Sequence, residues 1–262
     1  GPSTAFNFQR LRLKTDLTVA PGLMLTTRAD IMERAWGASR AVPSTTQQQA
    51  VGTSTNVSAG TVAENENIAF DYCFLTYYSP IGRFKIGIQQ DTVWGTEFGD
   101  DEKPGAGIGW LYNFKNGWYT NLKLNKNVDK SSMGSSPAPV TYADGDNNAG
   151  SVAIFYIGKS GEAGILWKHF EYSAYRPATG MRIVYDLVTP YARINLGPVF
   201  LQSQLYYMLG KRYYDDPTRP EVKENPLTFW VDGTARFGMF YAGGTFAYVS
   251  GDDPGSADQL EG

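Results

Sequence analysis

One cysteine and one histidine in 262 residues leave little room for several kinds of chemistry. Cys73 has no second thiol to pair with, so no disulfide framework holds the chain. No Cys-x-x-Cys-His motif is present to attach a c-type haem. His169 would have to serve every Ser–His–Asp triad, and Gly158-Lys-Ser-Gly-Glu162 is not a Gly-x-Ser-x-Gly elbow. Charge is scarce at 19%, and the net value of −3 argues against a nucleic-acid binder, which is usually basic. Long apolar runs are also missing. The longest, Val152–Ile157, falls far short of the roughly 18 residues a spanning helix needs. Gly1-Pro2-Ser3-Thr4 lacks the charged and apolar regions of a signal peptide and reads as a mature, processed or cloned start.

What the chain does have is glycine (29 residues) and aromatics (14%, including 17 Tyr), enough apolar area to exclude disorder and a lean toward all-β structure. Period-2 alternation recurs along its length, while no helical periodicity stands out. Ile68, Phe70, Tyr72, Phe74, Thr76 and Tyr78 alternate with Ala69, Asp71, Cys73, Leu75 and Tyr77. Phe84, Ile86 and Ile88 return after the Ser79–Gly82 turn. A hairpin runs from Ile108–Phe114 through Lys115-Asn-Gly117 to Trp118–Leu124, and Asn-Gly there is a strong hairpin signal. Further strands are predicted near 5–17, 22–36, 150–158, 163–173, 187–196, 199–211, 227–237 and 240–250. Twelve strands therefore pair into six hairpins.

Short turns alternate with long polar segments at 37–66, 95–106, 126–148, 174–186 and 212–226. That asymmetry, with strands long enough to cross a bilayer when tilted, predicts a transmembrane antiparallel up-and-down β-barrel. A soluble sandwich alternates too, but rarely segregates loop lengths in this way. Aromatics cluster at both strand ends, as membrane interfaces favour: Tyr77, Tyr78, Phe114, Trp118, Tyr119, Tyr191, Phe237, Phe240 and Tyr241 beside short turns, and Trp36, Trp94, Tyr172, Tyr175, Tyr213 and Tyr214 beside long loops.

The opposite parity carries Arg10, Arg12, Lys14, Arg28, Arg34, Arg83, Lys85, Lys123, Arg193 and Arg236, with Asp30, Asp71, Asp91 and Asp232. Ten basic against four acidic groups cannot line a dry core, since unpaired buried ions cost several kcal/mol. They suit the wall of a water-filled lumen. Cys73 falls on the same polar parity. The parity of 163–173 is ambiguous, because Leu166, Lys168, Phe170 and Tyr172 compete with Ile165, Trp167, His169 and Glu171. The folded-in loop expected to narrow the lumen is 37–66.

Ala5-Phe-Asn-Phe-Gln-Arg-Leu-Arg-Leu-Lys-Thr-Asp16, Leu25-Thr-Thr-Arg-Ala-Asp30, Gly82-Arg-Phe-Lys-Ile-Gly-Ile-Gln-Gln90 and Phe246-Ala-Tyr-Val-Ser-Gly-Asp-Asp253 resemble outer-membrane porins of metal-reducing delta-class proteobacteria. The resemblance spans most of the chain but consists of strand patterns, with no catalytic signature. It implies passive diffusion of small hydrophilic solutes across the bacterial outer membrane. It also implies a parent barrel of 14–18 strands, of which residues 1–262 form a single domain, incomplete at both ends. The chain ends at Leu260-Glu261-Gly262 rather than on an aromatic closing strand, and its first strand enters from the long-loop side.

No catalytic, cofactor or metal residues are expected. Gly158-Lys-Ser160 lacks the earlier glycine of a phosphate loop, where Ala153 stands, and Asp144-Gly-Asp146 departs from a calcium loop at Ala149 and Phe155. Expected partners are membrane lipid, lipopolysaccharide and small hydrophilic solutes, not nucleic acid. A homo-oligomer stays open. Two rival functions also stay open: a barrel that sheathes an electron-transfer cytochrome, and a soluble all-β binding or adhesion protein.

Overall fold

In the computed structural model the described residues are 8–35, 68–99, 101–129, 144–252, 255 and 259–260. They form one antiparallel up-and-down meander. Its first half comprises β1 (Phe8–Ala20), β2 (Leu23–Ala35), β3 (Ile68–Ser79), β4 (Gly82–Thr92), β5 (Asp101–Asn113) and β6 (Trp118–Val128). The second half comprises β7 (Asn147–Gly158), β8 (Gly161–Tyr172), β9 (Met181–Leu196), β10 (Val199–Tyr214), β12 (Leu227–Phe237) and β13 (Phe240–Val249). Each strand pairs with the next, so all the short turns fall at one end of the sheet. Two short additions, β11 (Val222–Glu224) and β14 (Gln259–Leu260), extend the far end of β10.

All twelve predicted strands are present, at 10–16 residues each, long enough to cross a bilayer at a tilt. Several connections expected as loops are partly ordered. β5 begins inside 95–106 and β9 inside 174–186, and β11 lies inside 212–226. A four-residue helix, α1 (Arg176–Thr179), closes on a left-handed Gly180. β1 and β13 each pair on one side only among the described residues.

The sheet is strongly curved. Lys168 on β8 reaches within 3.6 Å of the Asp91 carboxylate at the end of β4, although three strands lie between them. A flat ladder would separate those strands by about 19 Å. Register across the curve sorts the side chains. Tyr77, Phe84, Trp110, Leu122, Val152, Trp167, Val188 and Tyr207 stand directly opposite one another on the convex face of β3 to β10. One row away, Thr76, Lys85, Gly109, Lys123, Ser151, Lys168, Leu187 and Met208 do the same on the concave face.

Candidate functional site: the concave wall

Two charged clusters occupy the concave wall. The first joins β1, β2 and β3. Arg12 grips Asp30 in a bidentate fork, Nε to Oδ1 at 2.6 Å and Nη2 to Oδ2 at 2.7 Å, a geometry that suits guanidinium and carboxylate. Arg12 also reaches Asp71 at 3.3 Å, and Arg28 donates to the same carboxylate at 3.1 Å while lying 3.8 Å over the Tyr72 ring. Arg10 stands 3.9 Å from Asp30. The second cluster joins β4, β6 and β8 through Asp91, which accepts from Lys123 at 2.9 Å and faces Lys168 at 3.6 Å. Lys168 lies 4.4 Å from the centre of the Phe170 ring.

Over this wall folds the segment that follows β4. Residues 93–99 turn inward through a 3₁₀ turn at Glu97–Gly99, and the anchor is Gln204 on β10, one of the most deeply buried side chains. Its Oε1 accepts from the Thr96 amide and hydroxyl, both at 2.7 Å. Its Nε2 donates to the Tyr206 hydroxyl at 2.7 Å, the Thr189 hydroxyl at 3.2 Å and the Trp94 carbonyl at 3.3 Å. Trp94 donates its indole N–H to the Thr189 carbonyl and packs edge-on against Tyr191 and Phe155. Phe98 stacks on Trp230 at 5.5 Å. Gly95 adopts φ +78°, and a Cβ there would come 2.5 Å from Gln204 Oε1. At Gly99 a Cβ would strike the Tyr206 hydroxyl.

Among the expected wall residues, Arg10, Arg12, Lys14, Arg28, Asp30, Asp71, Lys85, Asp91, Lys123, Arg193, Asp232 and Arg236 all take the concave side of the register. The Arg34 side chain lies outside the described residues. Arg193 pairs with Glu162 at 3.2 Å, and Asp232 accepts from Thr245 at 2.6 Å. Outside the strands, the hydrogen bond to Asp215 raises the Arg176 pKa above its ordinary value, and the Thr218 hydroxyl holds the Asp216 carboxyl below its own.

Two expectations are corrected. The polar parity assigned to Cys73 is wrong, because the β2–β3 register slips at Arg28/Ala29 opposite Asp71. A slip of one residue swaps faces. Tyr72, Phe74 and Thr76 therefore point to the concave side, and Cys73 is exposed on the convex side with Leu75 and Tyr77. Tyr119, Tyr191 and Trp94 belong to the interior rather than to interfacial belts, so the wall is more aromatic than parity suggested. In β8 the even residues face in, which places Lys168 on the wall and His169 on the convex side beside Asp186 at 3.0 Å. The inturned segment among the described residues is 93–99; the expected one, 37–66, lies outside them. Gln204 escaped notice because its partner Thr96 is 108 residues away, and only its polar place among aromatics hinted at a role.

This geometry defines a two-faced curved meander, apolar outside and polar, basic and aromatic within. Among solved structures, the chain is similar to OmpTdeltaL8, a loop L8 deletion mutant of OmpT, an outer membrane protein of Vibrio cholerae, at 11% identity, covering 92% of this chain and 85% of that one with a TM-score of 0.46. It is likewise similar to in-vitro folded OmpT of the same organism, at 11% identity over 92% of this chain and 79% of that one, TM-score 0.46. For the trimer form the figures are 10% identity, 97% and 86%, and TM-score 0.43. No family model and no curated protein matches the chain.

Proposed function

We propose that the chain is a porin of the bacterial outer membrane. Its concave side lines a water-filled path through which small hydrophilic solutes diffuse down their gradients. The observation that carries this reading is the convex row from Tyr77 to Tyr207. It continues apolar across eight strands, with Ile86 at 52% and Ile108 at 52% exposure in the row beside it. A soluble protein rarely leaves so long an apolar belt uncovered, whereas lipid and the acyl chains of lipopolysaccharide cover it at no cost. Ion pairs such as Arg12–Asp30 and Lys123–Asp91 sit opposite that belt, where water keeps charges inexpensive.

Filtering needs no catalytic residue. The inturned segment 93–99 narrows the path, and the excess of arginine and lysine on the wall gives a mild anion preference. The resemblance of the strand sequences to porins of metal-reducing delta-class proteobacteria points the same way. Purified chain added to a planar lipid bilayer should produce discrete, ohmic conductance steps. Absence of steps, together with solubility in buffer without detergent, would overturn the reading.

A further inference from the structure

Beneath the inturned segment, the wall of β4 to β10 lines a half-open cavity of about 320 Å³. Its floor follows one register row in which lysines alternate with small residues: Lys85, Gly109, Lys123, Ser151, Lys168. Lysines two strands apart are separated by about 10 Å at the backbone, and the small residues leave the spaces between them open. A Cβ on Gly109 would make only ordinary contacts, the nearest at 3.9 Å. Asp91 fills the space between Lys123 and Lys168. The space between Lys85 and Lys123 holds no carboxylate among the described residues. Beside it Arg83, two residues from Lys85 on the same face, has its Nε buried without a hydrogen-bond partner, as does the Thr76 hydroxyl opposite Lys85. In the neighbouring register row of the same floor Leu111 pairs directly with Arg83 and Leu166 lies three strands further on, while Trp94 of the inturned segment also lines the cavity.

We infer that this cavity is a binding site for small organic carboxylates. The carboxylate lies between Arg83, Lys85 and Lys123, and the hydrocarbon or aromatic body rests on Leu111, Leu166 and Trp94. Guanidinium and ammonium groups supply charge-assisted hydrogen bonds, while the apolar wall rejects ions that are hydrated all round. The inference deepens the channel reading by assigning it a solute class, and binding is measurable without conduction.

The test is isothermal titration calorimetry on the full chain in detergent micelles, with sodium benzoate as probe and sodium phosphate for comparison. Benzoate should bind saturably and more tightly than phosphate. R83Q and K85Q should each weaken it about tenfold, the scale of one lost charge-assisted contact. G109V should abolish binding by filling the space while leaving every charge in place. R10Q and R236Q, which remove the same charge elsewhere on the wall, should change affinity less than about twofold. Heat-modifiable gel mobility confirms that each variant is folded. Absence of saturable benzoate binding, phosphate binding of equal strength, or an R10Q effect equal to that of R83Q would overturn the site. Conductance separates the two claims: a conducting chain that binds no benzoate loses this site and keeps the channel, and binding without conductance does the reverse.

Discussion

Replacing Gln204 with leucine removes the anchor of the inturned segment while nearly conserving volume. Two hydrogen bonds to Oε1 and the donations from Nε2 are lost, and the Thr96 amide, in a fully buried residue, is left without its acceptor. The Nε2 amide carries only two hydrogens, so four bonds at about 0.5–1 kcal/mol net each, with about 1 kcal/mol for the orphaned amide, amount to about 3–5 kcal/mol. Four ring contacts remain, Trp94 with Phe155 and Tyr191 and Phe98 with Tyr206 and Trp230. At about 0.5–1.5 kcal/mol each they are of similar size to the loss. The segment should therefore sample attached and detached states, neither of which dominates. Single-channel recordings of Q204L should flicker between the wild-type level and a higher one, and acrylamide should quench tryptophan emission more strongly. A steady wild-type conductance with unchanged quenching would refute the idea that Gln204 holds the segment.

The same segment offers a second test, in which Gly95→Ala forces a left-handed backbone and a contact with Gln204 Oε1. It should lower the thermal midpoint of the segment by local melting, at a backbone cost of about 1–2 kcal/mol, seen as raised amide exchange confined to 93–99. At the first charged cluster, Asp30→Asn removes the carboxylate charge that Arg12 and Arg10 share. The wall becomes more positive, and the reversal potential in a salt gradient should shift toward the anion limit; a shift toward cations would contradict the assignment. The opposite change, Arg12→Gln, should move the reversal potential the other way and leave strand content by circular dichroism unchanged.

Strand existence was legible because period-2 alternation and turn chemistry are local. Ser79–Gly82 and Asn116-Gly117 mark hairpins whatever surrounds them. Face assignment was legible where one parity is charged, as in β1 and β6, and so most of the wall residues could be named. It failed at β3, because alternation is counted along one chain while a bulge is a property of the pair. The slip opposite Asp71 cannot be seen without β2. It was undecided in β8, where Leu166 and Phe170 on one parity rival Ile165 and Trp167 on the other. The inturned segment was not legible at all. Its anchor joins residues more than a hundred positions apart, and nothing in Trp94–Gly99 alone tells an inward turn from an outward one.

A channel requires water on the concave side of the sheet and lipid on the convex side, and the inverted half of β3 tests that most directly. In a Cys73→Ser background, Phe74→Cys and Leu75→Cys place thiols on adjacent residues of opposite faces, the half-buried Phe74 on the concave side and the exposed Leu75 on the convex side. With the protein reconstituted in lipid vesicles, a charged, membrane-impermeant thiol reagent should modify Cys at position 74 and leave position 75 unlabelled until detergent is added. Labelling at 75 and protection at 74 would place water on the apolar side and contradict both the register of β3 and the channel built on it.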